Sequence, residues 1–394
     1  MTEPKHPIRD TFLPYGKQMI DEDDIEAVIQ VLRSPYITQG PAIDKFERAI
    51  AEYSGAKYAV AFSNGTAALH GACYAAGIGP GDEVITTPIT FLASSNCVLY
   101  CGGAPVFADI RSDTYNIDPD GAAKKITQRT KAIIAVDFSG QPTETDRLST
   151  LAHDHGLVLI QDAAHSLGAT YADRRVGSLA DMTMFSFHPV KHITTGEGGV
   201  IVTDNEQYRD RLLMFRSHGM TRDPELLERN DGPWYYEMHE LGYNYRMTDI
   251  QAALGASQVH KLDRLIQRRR EIAEAYDRAF SNIPGLTIPY QLPQADSSWH
   301  LYVVRWDEGL VMGGRDRAFE LLRSMNIGVH VHYIPIYRQP YYRKLGYDRE
   351  EYPNAEHFYR TAMTLPLFPQ MSDQDVEDVI QSVLQVAQQL RSGM

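Results

Sequence analysis

Between residues 58 and 161, short apolar runs alternate with stretches of helical patterning, and this alternation limits the folds open to the chain. The runs are YAVAF (58–62), EVITT (83–87), APVFA (104–108), AIIAV (132–136) and LVLIQ (157–161). Among them lie TAALHGACYAAG, FLASSNCVLYCGG and RLSTLAHDHG, each helix-like and each closing on glycine. Strands separated by helices at this spacing imply a mainly parallel sheet covered by helices, an α/β fold. MTMFSF (182–187) and GGVIVTD (198–204) read as two further strands, and DEDDIEAVIQVLRS (21–34) as an amphipathic helix with acidic residues in its first turn.

At 394 residues the chain calls for one large domain and a smaller one. The expected division is at 250, with residues 1–250 the large domain and its N-terminal segment, and 251–394 a linking helix and small C-terminal domain. Residues 248–280 read as one long helix or two in tandem. A strand near LYVVRW and a final helix from about Ser372 complete the small domain. The RRR at 268–270, flanked by Asp263 and Glu271, reads as a solvated helix face rather than a nucleic-acid patch.

Thirty-eight Lys and Arg against 51 Asp and Glu give a net charge of −13, which argues against nucleic-acid and anionic-membrane partners. An anionic ligand would depend on a few local arginines or backbone N–H groups. Three cysteines (Cys73, Cys97, Cys101) fit neither a paired disulfide framework nor zinc spacing. The start MTEPKHPIRDTF lacks the apolar stretch of a secretion signal, and no run approaches 18 apolar residues. A soluble cytoplasmic protein is expected.

The segment MFSFHPVKHITTGEGG (184–199) admits three readings. His188 and His192 have helical metal-ligand spacing, but no Glu follows His188, the region starts as a strand, and Pro189 removes a backbone donor; no metal is expected. The glycines of GEGG follow Lys191, whereas a P-loop lysine comes after its glycine run, so they read as a turn into the next strand. The third reading makes Lys191 the attachment point of pyridoxal 5′-phosphate (PLP). Such a site needs an anion cradle, a carboxylate for the pyridine nitrogen and a surface to hold the ring.

Each has a candidate elsewhere. AVAFSNGTAALHGA supplies a strand, a turn and a helix opening at about Ala67, whose first N–H groups and dipole suit a phosphate, with the Thr66 hydroxyl adding a bond. Asp162 lies just beyond a strand's carboxyl end, where ligands lie in open α/β sheets, and could keep a pyridine nitrogen protonated. His165 could reach the PLP phenolate oxygen, Phe91 suits stacking over the ring, and Ser186 could add a hydroxyl to the phosphate.

With these residues in place, the chain from about 13 to 390 resembles the fold-type I PLP aminotransferases of sugar-nucleotide metabolism, the DegT/StrS group. The matching motifs are SPYITQGP, SNGTAALH, TTPITFLASSN, DAAHSLGA, FSFHPVKHITTGEGG, FRSHGM, GYNYRMTDIQAALG and HVHYIPIY. The resemblance implies that Lys191 is the Schiff-base lysine and Asp162 the partner of the pyridine nitrogen. It implies that Gly65, Thr66, Ser186 and the Ala67 N–H surround the phosphate, and that Phe91 and Ala164 cover the two ring faces. Asn244 would reach the phosphate of a neighbouring subunit, so a homodimer with shared sites is implied.

FHPVKHITTGEGG, RSHGM and VHYIPIYRQPYY are similar to enzymes of pseudaminic acid biosynthesis that aminate a UDP-linked 4-keto-6-deoxy-N-acetylhexosamine. That likeness implies sugar-nucleotide contacts from Tyr15, Tyr36, Ile37, Thr38, Arg246, Val331, His332, Tyr333 and Ile334, with L-glutamate as amino donor in a ping-pong transamination. Other 4-keto or 3-keto nucleotide sugars remain alternative substrates. Related dehydratases that deoxygenate C3 carry histidine in place of the lysine; this chain keeps Lys191, which favours transamination over that alternative.

Overall fold

The seven expected apolar runs form one sheet. The computed structural model describes residues 8–391, so the first seven residues of the start MTEPKHPIRDTF lie outside them. The strands are β1 (Tyr58–Phe62), β2 (Glu83–Thr86), β3 (Ala104–Phe107), β4 (Thr130–Val136), β5 (Val158–Asp162), β6 (Met182–Ser186) and β7 (Gly199–Thr203). Their order is β1-β7-β6-β5-β4-β2-β3, with β3, β2, β4, β5 and β6 mutually parallel and β7 antiparallel to both β1 and β6. Helices cover both faces, which is why these strands carry nearly unbroken apolar sequence.

The covering helices include α1 (Glu22–Arg33), α2 (Pro41–Ser54), α3 (Gly65–Ala75), α4 (Ala93–Tyr100), α5 (Thr145–His155) and α6 (Glu206–Phe215). Residues 248–280 fold as two tandem helices, α7 (Asp249–Val259) and α8 (Leu262–Phe280). Thr248 and Gln251 form a capping box that starts α7.

A second, antiparallel sheet joins β8 (Leu286–Thr287), β9 (Tyr302–Trp306) and β10 (Ala362–Leu365) in that order. It packs with α8, α9 (Gly314–Ser324) and α10 (Asp373–Leu390) around buried Tyr276, Tyr302 and Trp306. Leu13 joins this core through a bridge to Ile327, so the N-terminal segment runs back to the small domain. Ala252, Ala256, Leu262 and Ile266 pack with Phe46 and Phe187, while Ile272, Tyr276 and Phe280 belong to the second core. The sequence puts a division at 250; the cores change over between Ile266 and Ile272, inside α8.

The RRR run departs from expectation. Arg268 and Arg270 form surface ion pairs with Asp373 and Asp296, but Arg269 is 1% exposed. Its Nη1 donates to the carbonyls of Trp299, His300 and Leu367 at 3.3, 3.2 and 2.9 Å. Charge content alone suggested a solvated face. The helical turn instead aims this one guanidinium at carbonyls of the irregular segments before β9 and after β10, which have no strand partner there. Among the described residues no helix is long and apolar enough to cross a membrane.

Candidate active site

The carboxyl ends of β4, β5 and β6 and the N-terminus of α3 open onto a cavity of about 960 Å³. β1 delivers the chain to Asn64, whose extended backbone caps α3 and whose Oδ1 accepts from the Ala67 N–H at 2.8 Å. The amides of Gly65 and Thr66, at the start of the helix, have no partner within it and sit at its positive end. The expectation for Ala67 therefore changes: its N–H is taken by Asn64, and those of Gly65 and Thr66 are the ones left for an anion. A Cβ at position 65 would lie 3.3 Å from the Ser186 Oγ, so glycine lets the end of β6 meet the helix start.

Asp162 is the last residue of β5 rather than the first beyond it, held in register with Val136 on β4 and Met184 on β6. Its Oδ2 accepts from Ser94 Oγ at 2.6 Å and its Oδ1 from the Ala164 N–H at 3.2 Å. Thr90 Oγ1 lies 2.7 Å from Ser94 Oγ; with the Ser94 proton given to Asp162, Thr90 must be the donor. Burial pushes the Asp162 carboxyl up, while Ser94, the Ala164 amide and the Lys191 charge pull it down.

Lys191 sits on a loop pinned by the Phe187 carbonyl, which accepts from the Thr195 N–H and the Thr194 hydroxyl. Burial lowers its amine to about 8; Asp162 opposes this and Arg269 reinforces it. Its Nζ lies 3.5 Å from His300 Nε2. His165 Nδ1 accepts from the Ser139 N–H at 3.3 Å, so a neutral His165 carries its proton on Nε2, 3.2 Å from the Tyr333 hydroxyl. His192 is buried and its Nε2 donates to the Ser298 carbonyl at 3.1 Å, whereas His188 lines the cavity.

Thr66, Ala67, Phe91, Ala164, Ser186, Tyr15, His332 and Tyr333 also line this cavity. The Phe91 ring is 58% exposed and 6.3 Å from that of Tyr333, an apolar face available to a planar ligand. Val331 and Ile334 flank the lining residues without joining them, and Ile334 is exposed. Tyr36 and Arg246 line a separate cavity of about 590 Å³ with Arg216 and Asp44. Thr38 bridges to Thr248, the Ile37 carbonyl accepts from the Asp249 N–H, and Asn244 bridges to Ser217. In a single chain, none of Tyr36, Ile37, Thr38, Asn244 and Arg246 lines the cavity that holds Lys191.

Sequence reasoning missed Asn64 as the cap, Ser94 under Asp162, and His300 beside Lys191. Ser94 stood inside a quoted motif, and its helical position four residues after Thr90 was the available signal. His300 had none, since one histidine before a strand is uninformative.

A model of the DegT/DnrJ/EryC1/StrS aminotransferase family matches residues 18–384. The chain belongs to that family. It is 43% identical over 377 residues to the spore coat polysaccharide biosynthesis protein SpsC of Bacillus subtilis, covering 95% of this chain and 97% of that one. It is 37% identical to the UDP-4-amino-4,6-dideoxy-N-acetyl-beta-L-altrosamine transaminase of Campylobacter jejuni, over 97% and 99% of the two chains. Helicobacter pylori PseC, an aminotransferase involved in the biosynthesis of pseudoaminic acid, superposes with a TM-score of 0.90 at 35% identity, covering 96% of this chain and 100% of that one. The PLP form of a putative sugar aminotransferase from Streptococcus pneumoniae gives 0.90 at 32% identity, over 97% and 100%.

As a member of the DegT/DnrJ/EryC1/StrS family the protein is a PLP-dependent sugar aminotransferase with the fold-type I architecture. The donor set fits that cofactor: a half-buried amine, a buried carboxylate, a glycine-lined helix start and an exposed aromatic face meet in one cavity.

Proposed function

We propose that the protein transfers an amino group from L-glutamate to the C4 ketone of a UDP-linked 4-keto-6-deoxy-N-acetylhexosamine, giving 2-oxoglutarate and a 4-amino sugar nucleotide for pseudaminic acid biosynthesis. The observation that carries the chemistry is the meeting of Lys191 and Asp162 in one cavity beside the start of α3. The substrate class rests on the relatives from Campylobacter jejuni and Helicobacter pylori.

Bound PLP supplies an electron sink through which an amine and a ketone exchange nitrogen for oxygen. Lys191 would hold the cofactor and would move a proton as general base and then general acid; an amine lowered to about 8 is suited to both roles near neutral pH. Asp162 keeps the pyridine nitrogen protonated. The Gly65 and Thr66 amides, with the Thr66 and Ser186 hydroxyls, would hold the phosphate, and Phe91 and Ala164 would enclose the ring. His165, whose Nε2–H points toward the Tyr333 hydroxyl, would face the ring's phenolate oxygen.

That Tyr36, Ile37, Thr38, Asn244 and Arg246 do not line the Lys191 cavity of their own chain supports a homodimer in which these residues complete the partner's site. Arg246 is then the cation for the diphosphate, whose charge an acidic protein must meet locally. Tyr15 and the Val331–Ile334 loop face the sugar. We further propose that the enzyme works in the cytoplasm, where UDP-sugars are made.

The test is incubation of the PLP-loaded protein with L-glutamate and a panel of 4-keto UDP-, dTDP- and GDP-sugars, with product stereochemistry read by NMR. Amination of the UDP-linked L-arabino ketosugar is expected. Amination of a different ketosugar with that one ignored refutes the substrate and leaves the family intact.

A further inference from the structure

We infer that His300 is a positioning residue for Lys191, its Nε2–H donating to the unprotonated ε-amine and holding that amine as a free base. The inference rests on the reading of Lys191 as the cofactor-linked lysine.

The first support is geometric. His300 Nε2 lies 3.5 Å from Lys191 Nζ, and the ring forms part of the wall of the same cavity. This is the long end of hydrogen-bond range, so the contact is sensitive to where both groups are held.

The second support is the other ring nitrogen. His300 is 4% exposed, and its Nδ1 is buried with no hydrogen-bond partner among the described residues. A neutral imidazole has one N–H and one lone pair. A proton on Nδ1 would leave a buried donor without an acceptor, the costlier kind of orphan. A proton on Nε2 leaves only a lone pair unmatched and points the N–H at Lys191. The amine can accept that hydrogen bond only while it is unprotonated, so the contact favours amine over ammonium.

The third support is rigidity. Trp299 holds φ 51° in the left-handed region, and Arg269 donates to the carbonyls of both Trp299 and His300. The amide nitrogens of these two residues approach Gly140 so closely that a Cβ there would lie 2.8 Å from each. The ring packs 4.3 Å from His165 and 5.6 Å from His192. Burial, with Lys191 and Arg269 nearby, holds His300 well below the usual histidine range, so it faces Lys191 as a neutral group. Asp162 on β5 favours protonation of the amine, and Glu197, on the loop before β7, is the other carboxylate lining the cavity. Arg269 on α8 opposes protonation, and His165, His188, His192 and His332 supply no negative charge.

The test mixes apoprotein with PLP and follows the growth of borohydride-reducible absorbance against pH. Only the unprotonated amine attacks the aldehyde, so the rate climbs to a plateau with a midpoint near 8 for the wild type. His300→Leu should move that midpoint up by about half to one pH unit and leave the plateau unchanged. His300→Gln, which keeps an N–H donor, should return it toward wild type. An unmoved midpoint in His300→Leu overturns the inference. If that variant fails to fold, selective [15N]histidine NMR of wild-type apoprotein decides: a proton on Nε2 of His300 supports it, and one on Nδ1 overturns it. Lys191→Ala separates the two claims. If its absorbance matches wild type, the reading of Lys191 falls and His300 with it; if it has none but the His300→Leu midpoint is unmoved, only His300 falls.

Discussion

Removing the Ser94 hydroxyl tests whether Asp162 has to be ionised for the reaction. Ser94 is buried, and its single proton goes to Asp162 at 2.6 Å. A hydrogen bond to a charged group contributes about 1.5–3 kcal/mol, and one to a neutral group about half that. Ser94→Ala therefore penalises ionised Asp162 over the protonated form by about 1–1.5 kcal/mol, which is about one pKa unit. The direction is upward, adding to the rise that burial already causes.

A carboxyl raised in the folded state contributes stability that is present at acid pH and lost as pH rises through its folded value. Ser94→Ala apoprotein should thus lose more stability relative to wild type at pH 7 than at pH 4, by about 1 kcal/mol in urea unfolding. In the PLP-loaded enzyme, the acid limb of the L-glutamate half-reaction, followed by cofactor absorbance, should move up by about one pH unit. An unmoved limb in a variant with full PLP content, together with equal stability loss at both pH values, would refute the chain Thr90–Ser94–Asp162 as the support of an ionised carboxylate.

Three further outcomes are expected. Lys191→Ala should keep its fold and lose both borohydride-reducible absorbance and at least about a thousandfold in transamination rate; surviving activity would favour dehydratase-like chemistry. Arg269→Met should cost about 2–3 kcal/mol in urea unfolding, since three carbonyls lose a charged donor; an unchanged midpoint would mean those contacts are neutral. Mixing inactive Lys191→Ala and Arg246→Ala protomers should restore about a quarter of wild-type activity, because half of the dimers carry one intact composite site; no recovery after verified subunit exchange would refute site sharing.

The strands were legible because each is a run of apolar residues whose two faces are buried, a pattern that needs no partner to be recognised. The same holds for the tandem helices, whose capping residues are local. Lys191 could be singled out because a PLP site demands several residue types in chain order along one sheet, and Thr66, Phe91, Asp162 and Ser186 were present. Two details misled. Ala67 was expected to offer its amide, but a cap from a side chain three residues earlier takes it. Arg269 resembled its neighbours in sequence, and only the helical phase of α8 against the segment before β9 distinguishes it.

By itself the sequence determined the α/β class, the order of the strands along the chain and, through its motifs, the family, and it offered residue types suited to the cofactor's chemical needs. The first two follow from local periodicity, the others from residue types in series. The tertiary structure decided the lateral strand order, which brings β4, β5 and β6 side by side under one cavity. It also decided that Ser94 lies under Asp162, that His300 lies beside Lys191, and that Arg246 lies in a different cavity of the same chain. Each of these depends on contacts between residues far apart in sequence, which are set by packing rather than by any local pattern.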